Sequence, residues 1–370
     1  MANILDYLAW RGDLSFAVSP FNAVDNLILA EMSYLRMDGL VPDEPENGVA
    51  LGDLWTSYME RNADGDYPSN DPRPVFEAAS GSERFCGVRL SGYAAETDPE
   101  KGIQFAAVTY ELGDGTYYVA FRGTDNSIVG WREDFNMSFQ DGTPGQLAAA
   151  AYLDRVAAAT EGALRVGGHS KGGNFAMYAA AFCQEDVLRE RVMEVYSNDG
   201  PGFTRRLIDT EQYRAMLPRT RLIIPESSLI GVLLTQQEER EVIRSSASGL
   251  GQHNPYSWEV SAHGFVPAEK QSATSLFMDE TLDRWIDELD DAERANIVSA
   301  IFDSVEASGA KTLAELNENW LPSYGAILKA VGGMDPEHRK NALGSLKKLA
   351  KTGKDVLLSE AKKTLESLGV

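Results

Sequence analysis

Cysteine and basic residues are scarce in this sequence, and each shortage excludes a class of protein. Only Cys86 and Cys183 occur among the 370 residues. Two are too few for a disulfide framework and lack the spacing of a metal site, so we expect each to fill apolar space. Lys and Arg number 34 against 56 Asp and Glu, which gives a formal net charge of −22. A nucleic-acid partner requires a basic surface, so we expect none, nor tight nonspecific binding to anionic membranes.

Long apolar runs and a leader sequence are also missing. No stretch approaches the roughly 18 uncharged apolar residues that predict a membrane-spanning helix. Residues 1–13 lack the basic stretch and apolar core of a secretory signal, so we expect a cytoplasmic protein. Apolar residues nevertheless make up 43% of the chain, which is ordinary for a globular protein with a substantial core.

The hydrophobic pattern changes along the chain. Residues 1–80 indicate helix and loop, with a helix over 25–34 and a polar stretch over 41–81 broken by one short helix near 51–61. Three strands are then predicted over 85–93, 103–111 and 117–121, the last two joined by a hairpin turn. From about 145, helices over 146–160, 171–183 and 210–216 alternate with strands over 164–168, 192–197 and 221–225. Such alternation predicts an α/β fold, a mostly parallel sheet covered by helices on both faces.

After about residue 270 the strand pattern stops. A helix is predicted over 279–308, with further helical stretches over 311–331 and 335–368. We therefore predict an α/β-hydrolase-like domain over residues 1–268, its N-terminal 80 residues included, and a C-terminal helical extension over 269–370. The last stretch is basic, which indicates a solvated face packed on the acidic body, or a surface for a partner or an acidic lipid. Its lysines are Lys340, Lys347, Lys348, Lys351, Lys354, Lys362 and Lys363.

The most informative segment is the G-x-S-x-G pentapeptide Gly168-His169-Ser170-Lys171-Gly172. It follows a predicted strand and precedes a predicted helix, which is the context of a nucleophile elbow. Gly168 and Gly172 let the two backbones approach closely, and Ser170 is expected in a strained turn with its hydroxyl exposed. The Lys171 N–H begins the helix and is suited to hold a developing oxyanion. The alternative is a glycine-rich turn with an incidental serine, and the flanking strand and helix favour the elbow.

A serine nucleophile needs an adjacent base, and the sequence has only four histidines. His169 is the variable position of the elbow and points away from the neighbouring hydroxyl, while His338 lies in the lysine-rich tail. His253 lies in a turn-rich loop after the last predicted strand, where an α/β-hydrolase carries its base. We therefore favour His253, with His263 as the alternative.

Two carboxylates at the ends of predicted strands are candidates for the acid that orients the base. Asp199 follows the strand over 192–197, and Glu226 follows the strand over 221–225. We favour Asp199, although its Asn-Asp-Gly-Pro-Gly context is also a strong turn sequence. Both residues remain candidates at this point.

A second oxyanion donor is expected in the loop after residues 117–121. Gly123 permits a tight turn there, and Thr124 offers a backbone N–H and a hydroxyl at the end of the sheet. Alternatively, Thr124 only caps the following helix. We also expect Arg122 and Asp134 to brace this loop as a charged pair.

Two segments together resemble class 3 lipases of the α/β-hydrolase fold. They are Phe-Arg-Gly-Thr at 121–124, with Trp131 downstream, and Gly-His-Ser-Lys-Gly-Gly at 168–173. The wider pattern resembles a bacterial family of uncharacterised hydrolase-like proteins related to those lipases, across about residues 1–260. The segments that carry this second resemblance are 3–7, 21–25, 196–203 and 252–258. The resemblance implies Ser170 as nucleophile, His253 as base, and Thr124 with Lys171 as oxyanion donors.

Two positions depart from the lipase pattern. Lipases usually carry an apolar residue at the position of Lys171, and their acid would fall in the loop of Glu226, where no aspartate stands. We expect a serine hydrolase that cleaves a carboxylic ester of a small molecule or a lipid through an acyl-enzyme, with no metal or cofactor. The alternative is a catalytically degenerate binding or scaffold protein on a hydrolase fold. Acyl transfer to an alcohol or amine is a third function.

Overall fold

The computed structural model describes residues 1–62, 70–125 and 127–306. Its centre is an eight-stranded sheet whose strands lie side by side in chain order. The strands are β1 Val49–Ala50, β2 Arg89–Asp98, β3 Ile103–Glu111, β4 Thr116–Phe121, β5 Ala163–His169, β6 Val192–Asn198, β7 Thr220–Pro225 and β8 Arg240–Ile243. A separate ribbon pairs β9 Val260–Ser261 with β10 Gly264–Phe265.

Helices cover the sheet, and most of them begin with a polar capping residue. They are α1 Ile4–Arg11, α2 Ala23–Met32, α3 Leu51–Asn62, α4 Arg73–Ser80, α5 Ile128–Asn136, α6 Pro144–Ala159, α7 Lys171–Phe182, α8 Glu185–Glu190, α9 Arg205–Ile208, α10 Glu211–Met216, α11 Ala273–Asp287 and α12 Asp291–Glu306. Asn22 with Asp25 and Thr143 with Gln146 form capping boxes at the starts of α2 and α6, which satisfies backbone N–H groups that a helix start leaves open.

The direction of the strands divides the sheet. Neighbours are antiparallel from β1 to β4 and parallel from β4 to β8. Phe121 lies opposite Gly168, Gly168 opposite Ser197, and Ser197 opposite Leu222. The carboxyl ends of four neighbouring strands are therefore level, and the loops that follow them meet at one edge, where open α/β sheets place their sites. The predicted mostly parallel α/β fold is confirmed.

Two hydrophobic cores lie on opposite faces of the sheet. In β4, Tyr118 and Ala120 belong to the core under the N-terminal helices, while Val119 and Phe121 belong to the core under α6 and α7. This alternation follows from the two-residue period of a strand. The strands of the parallel half are apolar on both faces because helices cover both.

Two predicted elements differ from the structure. The stretch over 41–81, expected to hold one helix, also contains α4, which buries Val75, Phe76 and Ala79 against the first core. The helix predicted over 279–308 is divided into α11 and α12. Asp290 and Glu293 exchange backbone hydrogen bonds through their side chains at the break, so that the second helix starts with its own cap.

Helix α12 packs on α5 through Val298 and Phe302, which contact Ile128. This contact brings the described part of the C-terminal extension onto the helix that follows the loop of Thr124. His338, the lysine-rich stretch and the helices predicted beyond residue 308 lie outside the described residues, and the boundary at 268 stays a prediction. Within residues 1–62, 70–125 and 127–306, no helix has the length and apolar character of a membrane span.

A buried ion pair fixes α2 against the N-terminal segment. The side chains of Arg84 and Asp25 are both fully buried, with Nη2 and Oδ2 2.5 Å apart and Nε and Oδ1 2.7 Å apart. Arg84 also donates to the carbonyl groups of Leu14 and Ser19. The pair is therefore fully hydrogen-bonded, the condition under which a buried pair is tolerated.

Replacing Arg84 tests how much this contact contributes to the free energy of unfolding. Arg84→Met is expected to lower the free energy of unfolding by roughly 3–5 kcal/mol, because Asp25 is left as a buried carboxylate without a counter-charge. Urea denaturation followed by circular dichroism measures the change. The control is Arg189→Met, which removes an exposed pair with Glu190 and should cost far less, because exposed pairs contribute little. Equal losses in the two variants would contradict the assignment.

Candidate active site

The pentapeptide forms a tight turn between β5 and α7. A Cβ on Gly168 would lie 2.3 Å from the carbonyl carbon of Gly172, and a Cβ on Gly172 would lie 2.1 Å from the Phe121 oxygen. Only glycine fits at either position. Ser170 between them has φ +59° and ψ −132°, a strained conformation that costs a non-glycine residue about 1–3 kcal/mol. The backbone thus has the shape of a nucleophile elbow.

His253 and Asp199 are brought together by two distant loops. Asp199 directly follows β6 with φ +51°, and His253 ends the 3-10 turn Gly249–His253. His253 Nδ1 lies 2.6 Å from Asp199 Oδ2. A carboxylate accepts, so Nδ1 carries the proton and Nε2 of the neutral ring is left as an acceptor. This is the tautomer that a general base for a serine requires.

The Asp199 carboxylate is fully buried and satisfied on its other oxygen. Oδ1 accepts hydrogen bonds from the Ser228 hydroxyl and from the Gly231 N–H, the latter at 3.1 Å. Ser228 and Gly231 lie in the loop after β7, which is the loop in which the lipase pattern places its acid. That loop therefore holds Asp199 in place from the neighbouring strand.

The other candidates lie apart from this pair. The Glu226 N–H donates to the Ile243 carbonyl, and the Glu226 carbonyl accepts from the Ser272 N–H. Within the described residues, its carboxylate makes no hydrogen bond to His253. His263 is exposed in the turn between β9 and β10. Sequence reasoning left Asp199 and Glu226 open, and of the two it is Asp199 that contacts His253.

His253 lies beside the elbow. The rings of His169 and His253 are 4.5 Å apart between centroids, and His169 Nε2 is 2.9 Å from the His253 carbonyl oxygen. His169 directly precedes Ser170, so these contacts place the candidate base beside the candidate nucleophile. The described part of the chain contains no hydrogen bond between the Ser170 hydroxyl and the His253 ring. Bonds of this kind are often long before substrate binds.

The loop of Thr124 runs alongside the elbow. A Cβ on Gly123 would lie 2.6 Å from the His169 oxygen and 3.2 Å from Ser170 Cβ. Thr124 donates its hydroxyl to Asp134 Oδ2 at 2.5 Å. Burial raises the pKa of Asp134 to about 6, against the opposing effects of the Lys171 ammonium and the Thr124 hydroxyl. The prediction that Arg122 pairs with Asp134 is wrong: Arg122 Nη2 lies 3.6 Å from Asp125 Oδ2, while Asp134 contacts the Thr124 hydroxyl and lies 3.7 Å from Lys171 Nζ.

Lys171 has two separate environments. Its backbone N–H begins α7 next to Ser170, whereas its side chain is 1% exposed and runs beneath α5. The ammonium donates to the Gln104 backbone and side-chain oxygens, and lies 3.3 Å from Glu133 Oε2. Glu133 accepts from the backbone N–H groups of Gln104 and Gly145 with its two oxygens. The lysine is therefore the interior partner of a carboxylate under the loop of Thr124.

A second buried polar cluster, which we call the His169 cluster, consists of Glu31, Tyr34, Asn70 and His169. Tyr34 Oη lies 3.2 Å from His169 Nδ1, and Asn70 donates to Glu31 Oε2 at 2.6 Å. Burial raises the pKa of Glu31 to about 8, against the Asn70 hydrogen bond, and burial lowers the pKa of His169 well below its usual range.

Sequence reasoning missed the His169 cluster. One signal was present: Glu31 stands four residues after Leu27 and three after Ile28, both fully buried, and so falls on the apolar face of its helix. Nothing in the sequence indicates that this face meets residue 169. No group of three or more His, Cys, Asp or Glu suited to a metal ion occurs in the part of the chain that the structure describes.

Comparison with known proteins gives one family and a few distant structures. A family model described as Mbeg1-like matches residues 79–303, a range that includes Ser170, Asp199 and His253. The native Rhizomucor miehei lipase propeptide complex has 16% identity and a TM-score of 0.38, over 65% of this chain and 68% of that chain. The M37 lipase crystal structure has 16% identity and a TM-score of 0.36, over 57% and 70%. Among curated proteins, no sequence matches this chain.

The pKa of Glu31 predicts how stability depends on pH. A carboxyl with pKa about 8 in the folded protein and about 4.5 when unfolded favours folding below pH 4.5, and this contribution is lost as pH rises through 8. Glu31→Gln does not titrate. The variant should therefore gain stability relative to wild type as pH rises, by up to about 4 kcal/mol between pH 5 and pH 9.

Urea denaturation of both proteins at pH 5, 7 and 9 measures this difference. The control is Glu46→Gln, which makes the same substitution at an exposed position and is measured at the same pH values. A constant difference between Glu31→Gln and wild type across the three pH values would contradict the prediction.

Proposed function

Because the chain belongs to the lipase-related Mbeg1-like family, we propose that it is a serine hydrolase that cleaves a carboxylic ester through an acyl-enzyme. The observation that carries the proposal is the bond of 2.6 Å between His253 Nδ1 and Asp199 Oδ2, made beside a serine that two sterically required glycines hold at positive φ. Glycine-rich turns without catalytic roles have no need of a buried carboxylate on a neighbouring histidine.

In the first half of the reaction, Ser170 Oγ attacks the ester carbonyl carbon while His253 Nε2 takes the hydroxyl proton. Asp199 stabilises the resulting imidazolium through Nδ1. The tetrahedral oxyanion is held by the backbone N–H groups of Thr124 and Lys171. When the carbon–oxygen bond to the alcohol breaks, His253 returns the proton to the leaving alkoxide, and the acyl group stays on Ser170.

The second half repeats these steps with water. His253 Nε2 removes a proton from the water as its oxygen attacks the acyl carbon, and the collapse of the second intermediate returns that proton to Ser170 Oγ. The carboxylic acid leaves, and the enzyme is restored with no metal or cofactor. A small-molecule or lipid ester is the substrate class that we propose, and the cytoplasmic location stays a prediction of the sequence.

A binding or scaffold role is the second candidate. It is favoured by the absence, within the described residues, of a hydrogen bond between Ser170 and His253. A protein of this type keeps the fold while losing the activation of its serine. The two candidates differ in whether the hydroxyl reacts with an electrophile.

Labelling with a fluorophosphonate probe separates the two. The wild-type protein should be labelled on Ser170, because His253 raises the nucleophilicity of the hydroxyl. Ser170→Ala should abolish labelling, and His253→Ala should slow it by about 10³-fold or more. The exposed His263→Ala variant serves as the control and should label like wild type. A folded wild-type protein that does not label would favour the scaffold role.

The identity of the acid has its own test. Asp199→Asn keeps the size of the side chain but favours the wrong histidine tautomer, and should slow labelling by up to about 10⁴-fold. Glu226→Gln should leave the rate within a few-fold of wild type. Near-ultraviolet circular dichroism of both variants verifies the fold. A large loss in the Glu226 variant with a small loss in the Asp199 variant would reverse the assignment.

A further inference from the structure

We propose that His169 is a positioning residue that fixes the backbone of His253 relative to Ser170. The proposal rests on the proposed function, since it assigns His253 the role of base. It concerns a hydrogen bond that joins the strand of the nucleophile to the loop of the base. His169 Nε2 makes this bond to the His253 carbonyl oxygen at 2.9 Å.

The partners of the ring define its tautomer. A carbonyl oxygen only accepts, so Nε2 of His169 carries a proton and donates it to His253. Nδ1 of the neutral ring is then an acceptor, and Tyr34 Oη lies 3.2 Å from it as the donor. Each ring nitrogen therefore has one partner of the right kind. The lowered pKa of the buried ring agrees with this neutral form.

The groups that face His169 are compatible with a neutral ring. Glu31 Oε1 lies 3.6 Å from Nδ1, and the raised pKa of Glu31 keeps it uncharged near pH 7. On the other face lies His253, the partner that gains a proton in the reaction. Arg122 and Asp134 act on the cluster through Tyr34 with opposite signs. A charged His169 would repel the imidazolium of His253, and the neutral ring avoids this repulsion.

Other hydrogen bonds hold Gln252, the residue before His253 in this loop. The Gln252 carbonyl accepts from Trp258 Nε1 at 2.8 Å, and the Gln252 side chain accepts from the Ser227 N–H. The next carbonyl along the chain, that of His253, accepts from the His169 ring. Because His169 and Ser170 are consecutive, this bond sets the distance between base and nucleophile across a single residue.

Two substitutions separate the hydrogen bond from the ring contact. In His169→Gln the amide nitrogen reaches near the position of Nε2, so the donor is retained without the ring. In His169→Phe the ring is retained without the donor. If the hydrogen bond positions His253, the Phe variant should be labelled by the fluorophosphonate probe roughly 10- to 100-fold more slowly than wild type, and the Gln variant should recover most of the rate.

A second readout does not depend on activity. The proton on His253 Nδ1, held by Asp199 at 2.6 Å, should give a far-downfield proton resonance in wild type, absent in His253→Ala. This resonance should be lost by exchange with water in His169→Phe and kept in His169→Gln. The exposed His263→Ala variant should change neither readout. Thermal unfolding identifies a variant that fails to fold. Tyr34→Phe, which removes the hydroxyl that lies 3.2 Å from His169 Nδ1 and 3.5 Å from the His169 carbonyl oxygen, then tests the same bond with an effect of the same direction.

The outcomes of the two proposals are distinguishable. If wild type does not label, the proposed hydrolase function fails, and the resonance still decides the role of His169. Equal resonances in wild type and the Phe variant would overturn the positioning role, as would a Gln variant as impaired as the Phe variant. A wild-type protein without the resonance would overturn it too. A His169→Phe variant that is labelled at the wild-type rate, even with an altered resonance, would also overturn it.

Discussion

The close approach of three backbones at Gly168, Gly172 and Phe121 is the constraint on which the rest of the site depends. No side-chain carbon fits between β5 and α7 at either glycine, so strand and helix meet at an angle that leaves Ser170 at positive φ. The level ends of the parallel strands then bring the loops of Thr124 and Asp199 to the same edge. Packing in two cores holds this arrangement, because the strained serine has no stabilising side-chain bond of its own in the described residues.

The carboxylates around the site fall into an exposed group and a buried group. The exposed surface carries many solvated acidic residues, whose pairs with exposed cations contribute little to stability. Beneath the oxyanion loop, Lys171 lies between Glu133 and Gln104, and every oxygen of Glu133 has a donor. On the side of His253, Glu31 has no Lys or Arg partner among the described residues, and burial raises the pKa of its carboxyl to about 8. These are the two solutions available to a buried carboxylate, a counter-charge or neutralisation.

The sequence predicts the parts of this molecule that depend on local pattern. The parallel sheet, the elbow turn and the level strand ends follow from hydrophobic periodicity and from two glycines at fixed spacing. The sequence favours Asp199 but leaves Glu226 open, because both follow strands and the choice depends on which loop His253 reaches across the sheet. The contact between Tyr34 and His169 could not be predicted, because the two residues are 135 positions apart in the chain. The break between the last two described helices was missed because it depends on the side chains of Asp290 and Glu293, which lie within a continuous amphipathic pattern. The catalytic roles themselves stay predictions.

The first hydrophobic core joins residues from inside and outside the range of the family match. It includes residues of α1 to α4, of β4 and β6, and Trp258 from the loop of the base. The family match begins at residue 79, after the segment that supplies Glu31, Tyr34 and Asp25. A fragment cut at that boundary would uncover one face of the sheet and remove Tyr34 and Glu31 from beside His169. The range of the family match and the extent of the first core therefore define different units in this chain.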